Sequence, residues 1–330
     1  MNMRLLRSIL PLVLFISKTP QRITASSSSN LVKRSYLASN SHCAATTKNN
    51  NNDNCNINKM PEKRIAPVIS SLEDFELKLP DYLKANTTLA LLLDYDGTLA
   101  AIADDPNKTF MTVYVKKTLN KLAVHPKVFL AIISGRGLRD VQACVGIKGI
   151  TYAGNHGLEI ESGDGTRHDY ALPAEIQKHY TLLVKELREK VENNGAWVED
   201  KIVSATFHYR TSDLKEQQRQ TAIQIIESHG FKANPAHEAV EAKPPVNWNK
   251  GEAAMLILKN KFGENWANEI KAIFAGDDNT DEDAMRLLQG YGKSFRISTD
   301  PEIQTYADFR LPRQDVVEDL LKWISNTYSN

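Results

Sequence analysis

Four short polar motifs contain residue types that are suited to phosphoryl chemistry. They are Asp94-Tyr95-Asp96-Gly97-Thr98, Ser134-Gly135-Arg136, Asn249-Lys250-Gly251 and Gly276-Asp277-Asp278-Asn279-Thr280-Asp281. Phosphoryl transfer needs an in-line nucleophile, neutralisation of negative charge and a proton for the leaving oxygen. Between them the motifs hold carboxylates, a hydroxyl group and a lysine ammonium, so the chain contains each group that such a reaction needs.

The first motif places two carboxylates two residues apart. A carboxylate such as that of Asp94 can attack phosphorus and form an aspartyl-phosphate. Asp96 can protonate the leaving alkoxide and then activate water. Gly97 permits the tight turn that brings both carboxylates to one phosphorus atom. We therefore expect covalent catalysis at Asp94.

The other motifs offer the charges that this chemistry requires. A hard cation bound by oxygen atoms, typically Mg²⁺, needs further carboxylates, and Asp277 supplies one. Lys250 offers a fixed positive charge, and Ser134 offers a hydroxyl for a phosphoryl oxygen. A simple helix N-cap is the alternative interpretation of Ser134.

Continuous apolar segments precede these motifs or alternate with them. Leu89–Asp94 (LALLLD) and Val128–Ile133 (VFLAII) are typical of strands buried on both faces of a parallel sheet. Further strands are predicted at Thr151–Gly154, Ile270–Ala275, Phe295–Ser298 and Phe309–Pro312. Helical spacing is found at Val113–Leu122, Leu138–Val145, Lys250–Phe262, Asp281–Leu288 and Val316–Ile324. This alternation predicts an α/β fold with a doubly wound parallel, Rossmann-like sheet, whose ligand site lies beyond the carboxyl ends of its strands.

The middle of the chain shows a different pattern. Gly163-Asp164-Gly165, between Leu158–Ile160 and Arg167–Tyr170, indicates a hairpin. Alternating segments and helical segments follow, at Ala174–Glu192, Trp197–Lys201, Val203–Arg210, Leu214–Ser228 and Ala239–Lys243. We interpret this part as an α+β cap domain inserted into the core. The predicted division is a tail at 1–60, a first half of the core at 61–157, the cap at 158–243 and a second half of the core at 244–330.

The N-terminal tail differs from the rest of the chain in charge. Residues 1–59 hold eight Lys and Arg residues and one acid, which gives this tail a net charge of +7. Since the whole chain carries +1, the remainder carries −6. A mildly acidic body argues against a nucleic-acid partner. The tail resembles both a secretory signal and a mitochondrial transit peptide, and these alternatives stay open. Its apolar segment Ile9–Ile16 is shorter than the roughly 20 residues of a membrane span. We expect no membrane span, and a catalytic body in the cytoplasm.

The motifs resemble those of a known family. DYDGTL, SGR, NKG and GDDNTDED look like motifs one to four of the haloacid dehalogenase superfamily. AGNHG, EDK, HYR and VEAKP, found in turn between Ala153 and Pro244, closely resemble trehalose-6-phosphate phosphatases. The resemblance covers about residues 70–325. It implies a haloacid dehalogenase-like core and magnesium-dependent hydrolysis of trehalose 6-phosphate.

The resemblance also implies roles for single residues. Asp94 matches the nucleophile and Asp96 the general acid and base, while Ser134 and Lys250 match phosphate binders. The positions that match the magnesium site are Asp94, Asp96 through its backbone carbonyl, Asp277 and, in support, Asp281. The positions that match substrate-binding residues are Arg136, Asn155, His156, Glu199, Lys201, Arg210, Glu241 and Lys243. Ordinary cross-strand ion pairs are the alternative interpretation of the cap residues.

Several functional alternatives remain at this point. The fold also fits a phosphatase of a sucrose- or hexose-phosphate. It equally fits a mutase or a non-catalytic sugar-phosphate sensor. The intact set of Asp94, Asp96, Lys250 and Asp277 argues against the sensor. Apart from the small-molecule substrate, a trehalose-phosphate synthase is the partner that we consider.

Overall fold

The computed structural model of the chain describes residues 62–103, 108–236 and 238–329. The targeting or disordered tail predicted for residues 1–60 lies outside the described residues. The larger sheet has seven strands. They are β2 (Leu89–Leu93), β3 (Val128–Ile133), β4 (Thr151–Gly154), β5 (Glu159–Glu161), β10 (Lys271–Gly276), β11 (Lys293–Ile297) and β13 (Phe309–Leu311). A separate two-stranded sheet pairs β1 (Arg64–Ile65) with β12 (Gln304–Thr305).

The strand order of the larger sheet reverses at its centre. The order is β13-β11-β10-β2-β3-β4-β5, and every neighbouring pair is parallel except β4 with β5. From β2 the chain adds β3 and β4 on one side, and it later adds β10, β11 and β13 on the other. The crevice between the carboxyl ends of β2 and β10 is therefore a topological switch point, where open α/β sheets bind ligands.

Helices cover both faces of this sheet, because its central strand is apolar on both sides. Leu89, Leu91 and Leu93 belong to one buried cluster, while Ala90 and Leu92 belong to another. The first cluster includes residues of α1 (Leu72–Lys78), α2 (Val113–Ala123), α3 (Leu138–Val145) and α9 (Val316–Thr327). The second includes residues of α6 (Lys250–Phe262), α7 (Trp266–Glu269) and α8 (Glu282–Leu288). The predicted doubly wound α/β fold is confirmed.

A smaller antiparallel sheet forms the inserted part. Its order is β6 (Trp197–Asp200), β7 (Ala205–His208), β9 (Ala239–Lys243) and β8 (Lys232–Ala236). One face packs against α4 (Ala174–Val191) and α5 (Lys215–Ser228), where Val198, Phe207 and Val240 join a third apolar cluster. The sequence did not predict β8, because Pro235 interrupts its pattern. Proline is tolerated there because β8 is an edge strand.

The strand β5 belongs to the larger sheet of the core and not, as predicted, to the cap. The first hairpin strand was assigned to the inserted unit, but β5 pairs antiparallel with β4 and extends the larger sheet. The hairpin itself forms, since Ser162 N donates to Thr166 O at 2.9 Å and His168 N donates to Ile160 O at 2.8 Å. Ile160 is buried in the second apolar cluster, so the apolar side of this strand is covered by the core.

Within the described ranges, no helix has both the length and the apolar character needed to cross a bilayer. The expected cytoplasmic location stays a prediction.

Candidate active site

Three of the four motifs meet at the switch point. Leu93 and Ala275 are paired across β2 and β10, so the residues that follow these strands are neighbours. One carboxylate oxygen from each of Asp94, Asp277 and Asp281 lies within 4.8 Å of the others. The Nζ atom of Lys250 lies 2.8 Å from Asp94 Oδ1 and 2.8 Å from Asp281 Oδ1. The first, third and fourth motifs therefore form one cluster.

Local sequence features place these groups. Asn249 is the N-cap of α6 and accepts a hydrogen bond from Glu252 N at 3.0 Å, which makes Lys250 the first helical residue. Gly97 has a φ of +77°, and a Cβ atom there would lie 2.1 Å from Asp277 Oδ2. Only glycine allows the turn after Asp94 to approach the β10 carboxylate this closely.

Burial shapes the electrostatics of the cluster. Burial, with smaller contributions from Asp277 and Asp278, raises the pKa of Asp94 to about 8 against the opposing effect of Lys250. Burial, with Asp281 and Asp278, raises the pKa of Asp277 to about 7. Although burial disfavours its charge, Lys250 has a raised pKa because Asp281 and Asp94 surround its ammonium group. The single positive charge of Lys250 does not neutralise three clustered carboxylates, so further positive charge would stabilise their ionised forms.

The cluster fits a hard divalent cation. Its carboxylate oxygens are the ligand type that Mg²⁺ prefers. Burial and, to a smaller extent, repulsion between the carboxylates raise the pKa values of Asp94 and Asp277, and a bound cation would oppose both effects. Asp94, Asp277 and Asp281 are the residues that would hold it. The backbone carbonyl of Asp96, assigned to the metal from the resemblance, stays a prediction.

The second motif joins the cluster through Asp96. Arg136 donates two hydrogen bonds to this carboxylate, from Nε to Oδ2 at 2.7 Å and from Nη2 to Oδ1 at 2.7 Å. Its remaining amine donates to Asp140 at 2.9 Å. Arg136 therefore positions the Asp96 carboxylate, which also lines the cleft beside it.

Ser134 is buried at the carboxyl end of β3. Its hydroxyl accepts a hydrogen bond from Arg136 N at 3.1 Å. The N-cap of α3 is Gly137 and makes no side-chain hydrogen bond, so the helix-cap interpretation of Ser134 is wrong. Its predicted role as a phosphate binder is left as the remaining interpretation.

A cleft of about 450 Å³ lies between the core and the smaller sheet. Asp96 lines it, and so do six of the predicted substrate residues: Arg136, His156, Glu199, Lys201, Arg210 and Glu241. Asn155 and Lys243 instead line a second cavity of about 370 Å³, which His156 also borders and which reaches Lys250. The structure therefore gathers most, but not all, of the predicted substrate residues around one cleft.

Asn155 is engaged by protein groups rather than by the cleft. Its Nδ2 donates to Glu159 Oε2 at 2.6 Å and to Lys201 O at 3.0 Å, and its Oδ1 accepts from Ser204 Oγ at 2.9 Å. Its φ of 50° and that of His156, 56°, both lie in the left-handed region. Such strain is kept where surrounding contacts hold it. Asn155 thus joins the β6–β7 loop to the core, and its predicted contact with substrate stays untested.

The charged residues beside the cleft form ion pairs with one another, both within the cap and with His156 of the core. Glu241 lies 3.2 Å from His156 Nε2 and 3.4 Å from Lys243 Nζ. Glu199 lies 2.9 Å from His208 Nε2. Although burial opposes ionisation, His156, Lys201 and Lys243 hold the pKa of Glu241 below its usual range. Both carboxylates are therefore ionised acceptors at neutral pH.

Two buried polar atoms beside the cleft keep unused hydrogen-bonding capacity. Within the described part of the chain, Thr206 Oγ1 and His156 Nδ1 have no hydrogen-bond partner. Buried polar groups are normally paired with protein or water, so these atoms are available to bind a polar group of a ligand. Sequence reasoning missed Thr206 and also Trp197 and His208, which line the cleft. The alternation of β6 and β7 around Glu199 was the signal that could have found them.

Comparison with solved structures agrees with the fold described above. A haloacid dehalogenase-like hydrolase from Bacteroides thetaiotaomicron superposes with a TM-score of 0.51 at 14% identity, covering 71% of this chain and 98% of that one. The C-terminal domain of Candida albicans trehalose-6-phosphate phosphatase superposes with a TM-score of 0.64 at 22% identity, covering 79% and 99%. The fold is that of the haloacid dehalogenase-like hydrolases.

The sequence comparisons narrow this class to a family. The family described as trehalose-phosphatase matches residues 92–315. "Probable trehalose-phosphate phosphatase C" of Arabidopsis thaliana is 32% identical over 276 residues, 78% of this chain and 84% of its own length. "Trehalose-phosphate phosphatase" of Mycobacterium tuberculosis is 31% identical over 234 residues, which are 70% of this chain and 58% of its own length. The chain belongs to the trehalose-phosphatase family.

Proposed function

We propose that this chain hydrolyses trehalose 6-phosphate to trehalose and phosphate through an aspartyl-phosphate on Asp94, as the final step of trehalose synthesis. The observation that carries the proposal is the buried cluster of Asp94, Asp277 and Asp281 around Lys250, which adjoins a cleft lined by ionised carboxylates. The family and the printed names of the relatives support the choice of substrate. A sucrose- or hexose-phosphate is the alternative substrate class.

Each residue has a distinct task in this reaction. Asp94 attacks phosphorus, and Lys250 and Ser134 bind phosphoryl oxygens. Asp96 gives its proton to the leaving sugar oxygen and then takes one from the attacking water. A bound magnesium ion would supply positive charge next to the phosphoryl oxygens. Arg136 positions the Asp96 carboxylate through two hydrogen bonds of 2.7 Å.

The cap's part in the proposal is to recognise the sugar and to exclude water. Phosphoryl transfer to Asp94 must occur away from water, whereas hydrolysis of the intermediate needs it, and a lid that closes and reopens meets both needs. Glu199, Lys201 and Glu241 suit sugar hydroxyls because they offer ionised acceptors and a donor on one face. The domain division at 158 and 243 stays a proposal, with the qualification that β5 packs on the core. An enzyme that makes trehalose 6-phosphate is the partner protein that we propose, because it would supply the substrate.

Phosphate release from a panel of sugar phosphates tests the proposed function. Trehalose 6-phosphate should give the highest kcat/KM. Its value should exceed the values for sucrose 6-phosphate and glucose 6-phosphate by at least about tenfold, which a few additional contacts can supply. EDTA should abolish the activity and Mg²⁺ should restore it, whereas Zn²⁺ should not, since no Cys or His completes the carboxylate cluster among the described residues.

A glutamine variant of Asp300, an exposed residue outside the site, serves as the matched control and should behave as wild type. A preference for another sugar phosphate would replace the substrate but keep the chemistry. Full activity after exhaustive chelation would contradict the metal assignment.

A further inference from the structure

Trp197 is a large aromatic residue exposed at the cleft. It begins β6 with 42% of its surface exposed, while its neighbour Val198 is buried against the cap helices. Its ring stacks on His208, with ring centroids 4.1 Å apart and an angle of 16° between the planes. His208 Nε2 in turn lies 2.9 Å from Glu199 Oε2. The indole is thus held in one orientation although it takes no part in an apolar core among the described residues.

Strand register arranges the cleft face of the cap into rows. In the row nearest the core, Lys201 Nζ donates to Gly135 O at 3.2 Å. The middle row pairs Glu199 with Thr206 and Thr206 with Glu241. The outer row is made of Trp197, His208 and Ala239, paired in the same order. Polar groups therefore lie near the phosphoryl site, and an aromatic surface lies beyond them.

The spacing of the rows suits a two-ring substrate. Residues two apart on a strand are separated by roughly 7 Å, at about 3.3–3.4 Å per residue. That separation is close to one sugar ring, so a ring that faces the middle row leaves a second ring over the outer row. The middle row also has Thr206 Oγ1, which makes no hydrogen bond to the described protein groups and so can bind a sugar hydroxyl, whereas the outer row has apolar surface.

We propose that Trp197, supported by His208, forms an outer sugar subsite that packs against the non-phosphorylated ring of the disaccharide. This proposal rests on the proposed function. A pyranose ring presents C–H groups on its apolar face, and these match the negative face of an indole while removing apolar surface from water. The subsite selects disaccharide phosphates over monosaccharide phosphates, because only a disaccharide reaches from the middle row to the outer row.

Inhibition by free sugars during hydrolysis of p-nitrophenyl phosphate tests the subsite directly. Wild type should be inhibited by trehalose at lower concentration than by glucose. Trp197→Ala should raise the Ki of trehalose by about tenfold, the effect of losing roughly 50 Å² of apolar contact, and should lower kcat/KM for trehalose 6-phosphate by a similar factor. The Ki of glucose should not change, since glucose binds the middle row.

Two variants control for damage to the cap. Trp197→Phe keeps a flat ring and should restore the trehalose Ki to within about threefold of wild type. Leu182→Ala removes another exposed apolar side chain of the cap, on the helix α4, and should leave both inhibition constants unchanged.

The outcomes separate this inference from the proposed function. Equal changes in the trehalose and glucose constants, no change in either, or no inhibition of wild type by trehalose would overturn the subsite. If wild type nevertheless hydrolysed trehalose 6-phosphate, the proposed function would stand without it. Failure of wild type to hydrolyse trehalose 6-phosphate at all would overturn both.

Discussion

Asp94→Asn should lower the turnover of trehalose 6-phosphate by at least about a thousandfold, because the amide cannot act as the attacking nucleophile. The fold should survive the change. Asp94 is buried at the end of β2, and burial together with nearby carboxylates raises the pKa of its side chain to about 8. A neutral amide of the same shape relieves that repulsion, and Lys250 keeps its 2.8 Å contact with Asp281.

Thermal unfolding and steady-state turnover together check this prediction. In metal-free buffer the Tm of Asp94→Asn should equal or exceed that of wild type. Asp300→Asn, an exposed change of the same kind, should alter neither quantity. Substantial turnover by a folded Asp94→Asn protein would contradict covalent catalysis at this residue.

Lys250→Met should abolish turnover and also destabilise the fold. The ammonium group is 2% exposed and lies between Asp94 and Asp281, each 2.8 Å away. Removal of one partner from a buried charge pair leaves the others uncompensated, which typically costs about 3–5 kcal/mol in the free energy of unfolding. The loss should be largest in EDTA and smaller in Mg²⁺, since the added cation replaces part of the missing charge.

A second variant separates the two roles of this lysine. The double change Lys250→Met with Asp281→Asn removes the cation and one of its carboxylate partners, so stability should recover while turnover should not. Urea unfolding with and without Mg²⁺ gives the comparison. An unfolding free energy for Lys250→Met equal to that of wild type would show that the charge cluster is not coupled to the fold.

The sequence predicted the elements whose apolar runs are continuous. The predicted segment at Val128–Ile133 matches β3, and the strand within Leu89–Asp94 matches β2 up to its terminal carboxylate. A strand buried on both faces has a pattern that hardly depends on its neighbours. Since parallel strands end at the same edge, the motifs that follow them could be expected to meet.

The parts that the sequence did not predict depend on partners distant along the chain. Pro235 interrupts the strand pattern of β8 in the sequence, and this strand forms because it pairs with β9. The placement of β5 depends on β4, and nothing local in the hairpin distinguishes core from cap. The row of Trp197 and His208 appears only when β6 and β7 are paired in register.

Residue types alone also cannot show which polar groups are already engaged. Arg136 and Asn155 were assigned to substrate, but in this arrangement Arg136 holds Asp96 and Asn155 joins the β6–β7 loop to the core. Their substrate roles stay predictions, whereas their positioning contacts are seen in the structure.

Chemical trapping can identify the residue that carries the proposed covalent intermediate, which we expect to be Asp94. Asp96→Asn removes the group that activates water, so the intermediate should accumulate when Mg²⁺ and p-nitrophenyl phosphate, whose leaving group needs no proton from Asp96, are added. Borohydride reduces an acyl phosphate to an alcohol, which peptide mass spectrometry locates. Homoserine should be found at position 94 in substrate-treated protein and should be absent from protein treated with Mg²⁺ alone. Modification at a different residue, such as Asp277, with residue 94 unchanged would contradict it.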